Sequence, residues 1–129
     1  MGYTRAGLSP DGTSSYFLAR VVGLRRALEL TLTNRVLNAS EAEAWGLVNR
    51  VVPDAEVGAE AEALARQLAA GPTRAFGLAK RLLLEGASSS LEQSMERESF
   101  AIAAAAGTAD AQEGIRAFLE KRGAAFAGQ

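Results

Sequence analysis

Apolar residues recur at helical spacing along almost the whole chain, and glycines and prolines cut that pattern into short segments. Such a chain can only become a set of packed helices, because each segment offers one apolar stripe that must find a neighbour. From Ser14 the pattern Tyr16, Phe17, Arg20, Val21 predicts a helix ending at Gly23, followed by a second with Leu24, Ala27, Leu28 and Leu32 on one face. Arg25 and Arg26 fall off that face and read as solvated. Ser40 with Glu43 predicts a capping box opening a short helix that ends near Trp45 and Gly46, with Trp45 as packing. Residues 47–52 form the only strand-like run, closed by Pro53.

Asp54 is placed to cap a long helix with Val57, Ala61, Leu64, Ala65 and Leu68 as its stripe. Gly71 and Pro72 end it, and Pro72 suits the first position of the next helix, whose leucines and Phe76 spread over two faces. Ser90 with Gln93 predicts a second capping box, and Gly107 closes that helix. Thr108 or Asp110 caps the last one, with Ile115, Phe118 and Leu119 expected inward and Glu120, Lys121 and Arg122 outward. The fold class is therefore mostly α, with six or seven helices and one short strand.

At 129 residues, with 48% hydrophobic and 22% charged positions, the chain has the length and composition of an ordinary globular domain. Fourteen basic against fifteen acidic residues give a net charge of −1, so no bulk field favours nucleic acid or an anionic membrane. The chain contains neither His nor Cys. That removes Ser-His-Asp triads, thiolate nucleophiles and nearly all zinc sites, and leaves acid and base chemistry to Asp, Glu, Lys or Tyr. No apolar run approaches a membrane span and the first residues lack a secretory core, which reads as a cytoplasmic protein.

One acid stands out. Asp11 lies between Pro10, which fixes its own φ, and Gly12, which tolerates positive φ, just before Thr13, Ser14 and Ser15. A carboxylate on such a turn is either a helix cap or a fixed acid, and the hydroxyls beside it are themselves capping candidates. Tyr3 and Phe17 read as core or as the wall of a pocket.

The run Gly7-Leu8-Ser9-Pro10-Asp11-Gly12, with Leu18 to Gly23 and Arg26 to Leu30 after it, resembles the crotonase superfamily of enoyl-CoA hydratases and isomerases. So do Ala42 to Pro53, Gly71-Pro72-Thr73, Ala79-Lys80-Arg81, and Asp110 with Glu113-Gly114 and Ala117 to Arg122. The likeness runs from Gly7 to Phe126 and is to the C-terminal half of such enzymes. It implies that residues 1–13 are the remnant of a ββα spiral core with the active-site turn, and that residues 14–129 form a helical, trimerising domain.

The resemblance further implies an acyl-CoA thioester substrate, enolate-type chemistry, and coenzyme A only as part of that substrate, with no separate cofactor or metal. It implies a homotrimer or hexamer as the assembly, in fatty or aromatic acid metabolism. The family's two backbone N–H donors for the thioester oxygen come from loops that this sequence does not resemble. By the same likeness Asp11 is the catalytic carboxylate, matching the acid of phenylacetate-pathway isomerases and the nucleophile of 4-chlorobenzoyl-CoA dehalogenase. Tyr3 stands where many hydratases carry a glutamate, and with Phe17, Phe118 and Lys121 makes up the substrate-binding candidates, Lys121 as a point charge for a CoA phosphate. Two other readings stay open: a noncatalytic helical oligomerisation module, inactive alone, and an aryl-CoA dehalogenase.

Overall fold

The computed structural model describes residues 2–129. Among them are seven α-helices and no strand: α1 (Ser14–Val22), α2 (Leu24–Thr33), α3 (Ala39–Ala44), α4 (Val57–Ala69), α5 (Thr73–Gly86), α6 (Leu91–Ala106) and α7 (Ala109–Glu120). Short 3-10 turns lie at Thr4–Ala6 and Asp54–Glu56. The chain divides into two units, Met1–Ala55 and Glu56–Gln129.

In the first unit, α1 and α2 pack on each other. Gly23, at φ 81°, makes the reversal between them without the strain that a side chain would bring. Their contact buries Val22, Ala27 and Leu30, while Leu24, Leu28 and Leu32 remain exposed. The 3-10 turn is tied to the end of α2, where the Thr4 hydroxyl donates to the Thr31 carbonyl at 2.6 Å.

The N-cap of α3 lies two residues before the expected one. Asn38, not Ser40, accepts from the Glu41 backbone at 2.8 Å, and the Glu41 carboxylate accepts from the Asn38 N–H at 3.1 Å. Glu43 is thereby free for another task and accepts from the Val51 N–H at 3.2 Å. The strand expected over 47–52 does not form. Among the described residues there is no second strand to complete a ladder, so the segment takes its hydrogen bonds from α3.

Trp45 packs as expected, but its neighbours were not legible: the guanidinium groups of Arg26 and Arg35 lie 4.7 and 5.0 Å from its ring centre. Arg26 is exposed, as its helical position suggested, and from that face it stacks on Trp45. Arg35 also pairs with Glu29 at 2.7 Å and with Glu41, joining the end of α2 to α3.

In the second unit, α5 packs on α6, and α6 on α7. Asp54 sits in the 3-10 turn rather than capping α4, whose N-cap is Glu56 with no side-chain hydrogen bond. Pro72 stands one position earlier than expected, as the N-cap of α5. A Cβ at Gly71 would come within 2.5 Å of the Phe76 ring, so any larger residue there displaces that ring. The Ser90–Gln93 capping box forms as read.

Thr108 caps α7, accepting from the Ala111 N–H at 3.0 Å. Asp110 does something else: its buried carboxylate accepts from the N–H groups of Ala127 and Gly128 at 2.7 and 2.9 Å, folding the last residues back over α7. Glu113, one turn on, accepts from the Ala125 N–H and holds Arg122 through two bonds of 2.6 and 3.0 Å. The expected inward face of α7 is outward. Ile115, Phe118 and Leu119 are exposed, while Ala117 and Asp110 are the residues of α7 that are buried.

Candidate functional site

Asp11 sits where the chain turns into α1. Gly12 and Thr13 are both left-handed, at φ 58° and 63°, and the Asp11 carbonyl accepts from the Ser14 N–H at 3.1 Å and the Ser14 hydroxyl at 2.6 Å. Thr13 pays a conformational cost for that geometry which glycine would not. No hydroxyl caps the helix: Thr13 is the N-cap without a side-chain bond, and its Oγ1 donates to the Gly12 carbonyl at 2.5 Å. The capping role foreseen for these hydroxyls is therefore not taken up. Nor does Asp11 take it, so its exposed carboxylate is not consumed by the helix end.

The group that does meet this carboxylate is Tyr3. Three backbone bonds gather the chain on Tyr3 and the turn after it: Ala6 N–H and Leu8 N–H donate to the Tyr3 carbonyl at 2.9 and 3.0 Å, and Gly7 N–H to Thr4 at 3.1 Å. Gly7, at φ 73°, reverses the backbone. The Tyr3 phenol faces Asp11, and hydrogen bonding to the Asp11 carboxylate, then its negative charge, then partial burial, hold the phenol above the ordinary tyrosine pKa. A neutral phenol donating to a carboxylate orients it without neutralising it.

Phe17 lies one turn into α1, half-exposed, with its ring edge-on to Tyr16 at 5.1 Å. The Arg20 guanidinium lies over the Tyr16 ring at 3.5 Å. Phe118 and Lys121 belong to the second unit. Phe118 is 82% exposed, so it is not part of a core within this chain. Lys121 ends α7 in a left-handed conformation at φ 55°, with its N–H donating to the Phe118 carbonyl at 3.2 Å and the Arg122 N–H donating to Ala117 at 3.0 Å. The structure thus brings Tyr3 to Asp11, and fixes Phe118 and Lys121 at the end of one helix. The pairing of Tyr3 with Asp11 was not read from the sequence, although Tyr3, seven positions before the Pro of the Pro-Asp-Gly turn, was itself a candidate.

The second unit also carries an apolar cleft of about 340 Å3 at the junction of α5, α6 and α7, walled by Ile102, Ala105, Ile115 and Phe126. Among the described residues no three His, Cys, Asp or Glu side chains gather as a metal site, and no helix is long and apolar enough to cross a membrane.

These elements match a known family. The enoyl-CoA hydratase/isomerase family model matches residues 2–129, and the chain belongs to that family. A 4-chlorobenzoyl coenzyme A dehalogenase of an Arthrobacter species is 44% identical over 115 residues, 89% of this chain and 42% of the relative. The 1,2-epoxyphenylacetyl-CoA isomerase of Escherichia coli K12 is 36% identical over all 129 residues, 49% of its own length. A crystal structure described as an enoyl-CoA hydratase/isomerase from Mycobacterium abscessus superposes with a TM-score of 0.97 at 34% identity, over 100% of this chain and 50% of the other. The chain therefore spans about half the length of the relatives it matches.

Proposed function

We propose that this chain is the C-terminal part of an acyl-CoA enzyme in which Asp11 is the acid or base that moves a proton at the acyl carbons. The observation that carries this reading is a carboxylate held on a fixed turn, exposed, not used as a cap and met by one phenol. Negative charge forming on a thioester oxygen requires preorganised hydrogen-bond donors, which belong to the remainder of the fold. With those donors in place, Asp11 takes a proton from one carbon of the enolate system or returns it to another, and Tyr3 keeps the carboxylate aimed. The first thirteen residues are then the active-site edge of the core, and the helices serve assembly into a trimer or hexamer. Phe118 and Lys121 would contact the nucleotide end of coenzyme A, Lys121 by its charge.

A second reading is favoured by the 44% identity to the Arthrobacter dehalogenase. In it Asp11 attacks an aryl carbon of a halobenzoyl-CoA, halide departs, and water releases the product from the aryl ester. The two readings share the residue and differ in product. Residues 2–129, fused behind the N-terminal half of a family member, are assayed with an enoyl-CoA and with 4-chlorobenzoyl-CoA. Isomerised or hydrated enoyl-CoA supports the first reading and chloride release the second. Neither product from a folded fusion would leave the helical assembly module as the function.

A further inference from the structure

Three non-glycine residues among the described ones are left-handed: Thr13, Asn34 and Lys121. Asn34 and Lys121 end α2 and α7, where a left-handed residue is a usual way to close a helix. Thr13 instead begins one. The N-caps that accept a hydrogen bond, Asn38, Ser90 and Thr108, are extended, the ordinary conformation at that position. Thr13 is also β-branched, the kind of side chain that a left-handed backbone strains most. It caps nothing and is exposed, so neither a bond to the helix nor burial offsets that strain.

What the strain secures is a rigid joint. Gly12 and Thr13 are the central residues of a turn from Asp11 to Ser14, both left-handed as a primed turn requires, and the Ser14 N–H closes it on the Asp11 carbonyl at 3.1 Å. The Thr13 carbonyl is at the same time the first acceptor of α1, receiving the Tyr16 and Phe17 N–H groups at 3.0 and 3.1 Å. One residue therefore belongs to both the turn and the helix. Its hydroxyl donates to the Gly12 carbonyl at 2.5 Å and ties down the peptide plane between the two. Glycine at both central positions would make the turn with less strain and leave Asp11 free to swing against α1.

We infer that Thr13 is a positioning residue: its branched side chain and its hydroxyl lock the turn to α1 and so fix the direction of the Asp11 carboxylate. Stability is given up for geometry, since a misplacement of about 1 Å in a reacting group lowers a rate by up to ~100-fold. The consequence for turnover rests on the proposed function; the hold on the carboxylate does not.

Two readouts test it. In residues 1–129 carrying Tyr16→Phe, Thr13→Gly loosens the carboxylate from Tyr3, and the tyrosinate midpoint moves down toward the ordinary 10.0. In the chain fused behind the N-terminal half of a family member, turnover is measured with whichever of enoyl-CoA and 4-chlorobenzoyl-CoA it converts. There Thr13→Gly lowers kcat at least ~10-fold with KM within ~2-fold of wild type, while the thermal midpoint holds or rises because strain is relieved. Thr13→Ser, which keeps the hydroxyl and the Cβ, recovers most of the lost rate. Either an unchanged Tyr3 midpoint or a wild-type kcat in Thr13→Gly would overturn the inference. So would a lowered thermal midpoint, or a Thr13→Ser variant as slow as Thr13→Gly, since each makes Thr13 a packing residue. Wild-type turnover by Asp11→Asn, or none by the fused chain, is a failure of the proposed function instead, and the Tyr3 midpoint then decides alone whether Thr13 holds the carboxylate.

Discussion

The Tyr3 phenol is set against the Asp11 carboxylate at the mouth of α1, and the carboxylate holds the phenol in its neutral form beyond the ordinary tyrosine pKa of 10.0. The sequence contains only two tyrosines, so the pairing is directly observable. In a Tyr16→Phe background, Tyr3 ionises above that value when tyrosinate absorbance is followed against pH. Asp11→Ala removes both the hydrogen bond and the charge, and the midpoint falls back toward the ordinary value. An unchanged midpoint would separate the two groups.

Asn38→Ala costs about 1 kcal/mol of stability by denaturant titration, because it removes the acceptor for the Glu41 N–H. Ser40→Ala is within about 0.5 kcal/mol of wild type. Equal losses would mean that α3 starts where the spacing of Ser40 and Glu43 alone would place it.

Much of the fold was legible in the sequence for a physical reason: helix ends are written in local chemistry. Gly23, the Ser90–Gln93 box, Gly107 and Thr108 each act through residues within one turn. Other features depend on distant partners and could not be read. The 47–52 run had strand composition but no neighbour to pair with among the described residues, and Glu43 was drawn to Val51 rather than to Ser40. The stripe of α7 was read inward on the assumption that a neighbour within the chain covers it, whereas Phe118 faces out. Turn chemistry singles out Asp11 as a candidate, while Tyr3 becomes its neighbour only through the fold of the Tyr3 to Leu8 turn.

The C-terminal residues depend on Asp110. Asp110→Ala leaves the Ala127 and Gly128 N–H groups without their acceptor. Hydrogen exchange at those two amides rises well above that in the interior of α7, and global stability falls by about 1–3 kcal/mol. Asp110→Asn, which retains one acceptor oxygen, is intermediate.

Glu113 supplies an acid-sensitive contribution. Arg122 first, then the Ala125 N–H, holds its carboxyl at about 2 against an ordinary 4.5. A carboxylate with a depressed folded-state pKa stabilises fully above the ordinary value and loses that contribution as pH falls from about 4.5 toward about 2. The denaturation midpoint of the wild type therefore drops between pH 6 and pH 3 by more than that of Glu113→Gln. Parallel drops in the two proteins would show that the pair contributes nothing to acid sensitivity.

Asp11 is the centre of the account, and one rate tests it. The chain fused behind a family N-terminal half is given an acyl-CoA in deuterated water, and exchange of the protons next to the thioester is followed by NMR. Replacing Asp11 by Asn lowers the exchange rate by at least ~100-fold, the loss expected of a general acid or base, with the fold and acyl-CoA affinity retained. Exchange at the wild-type rate in Asp11→Asn would contradict the account.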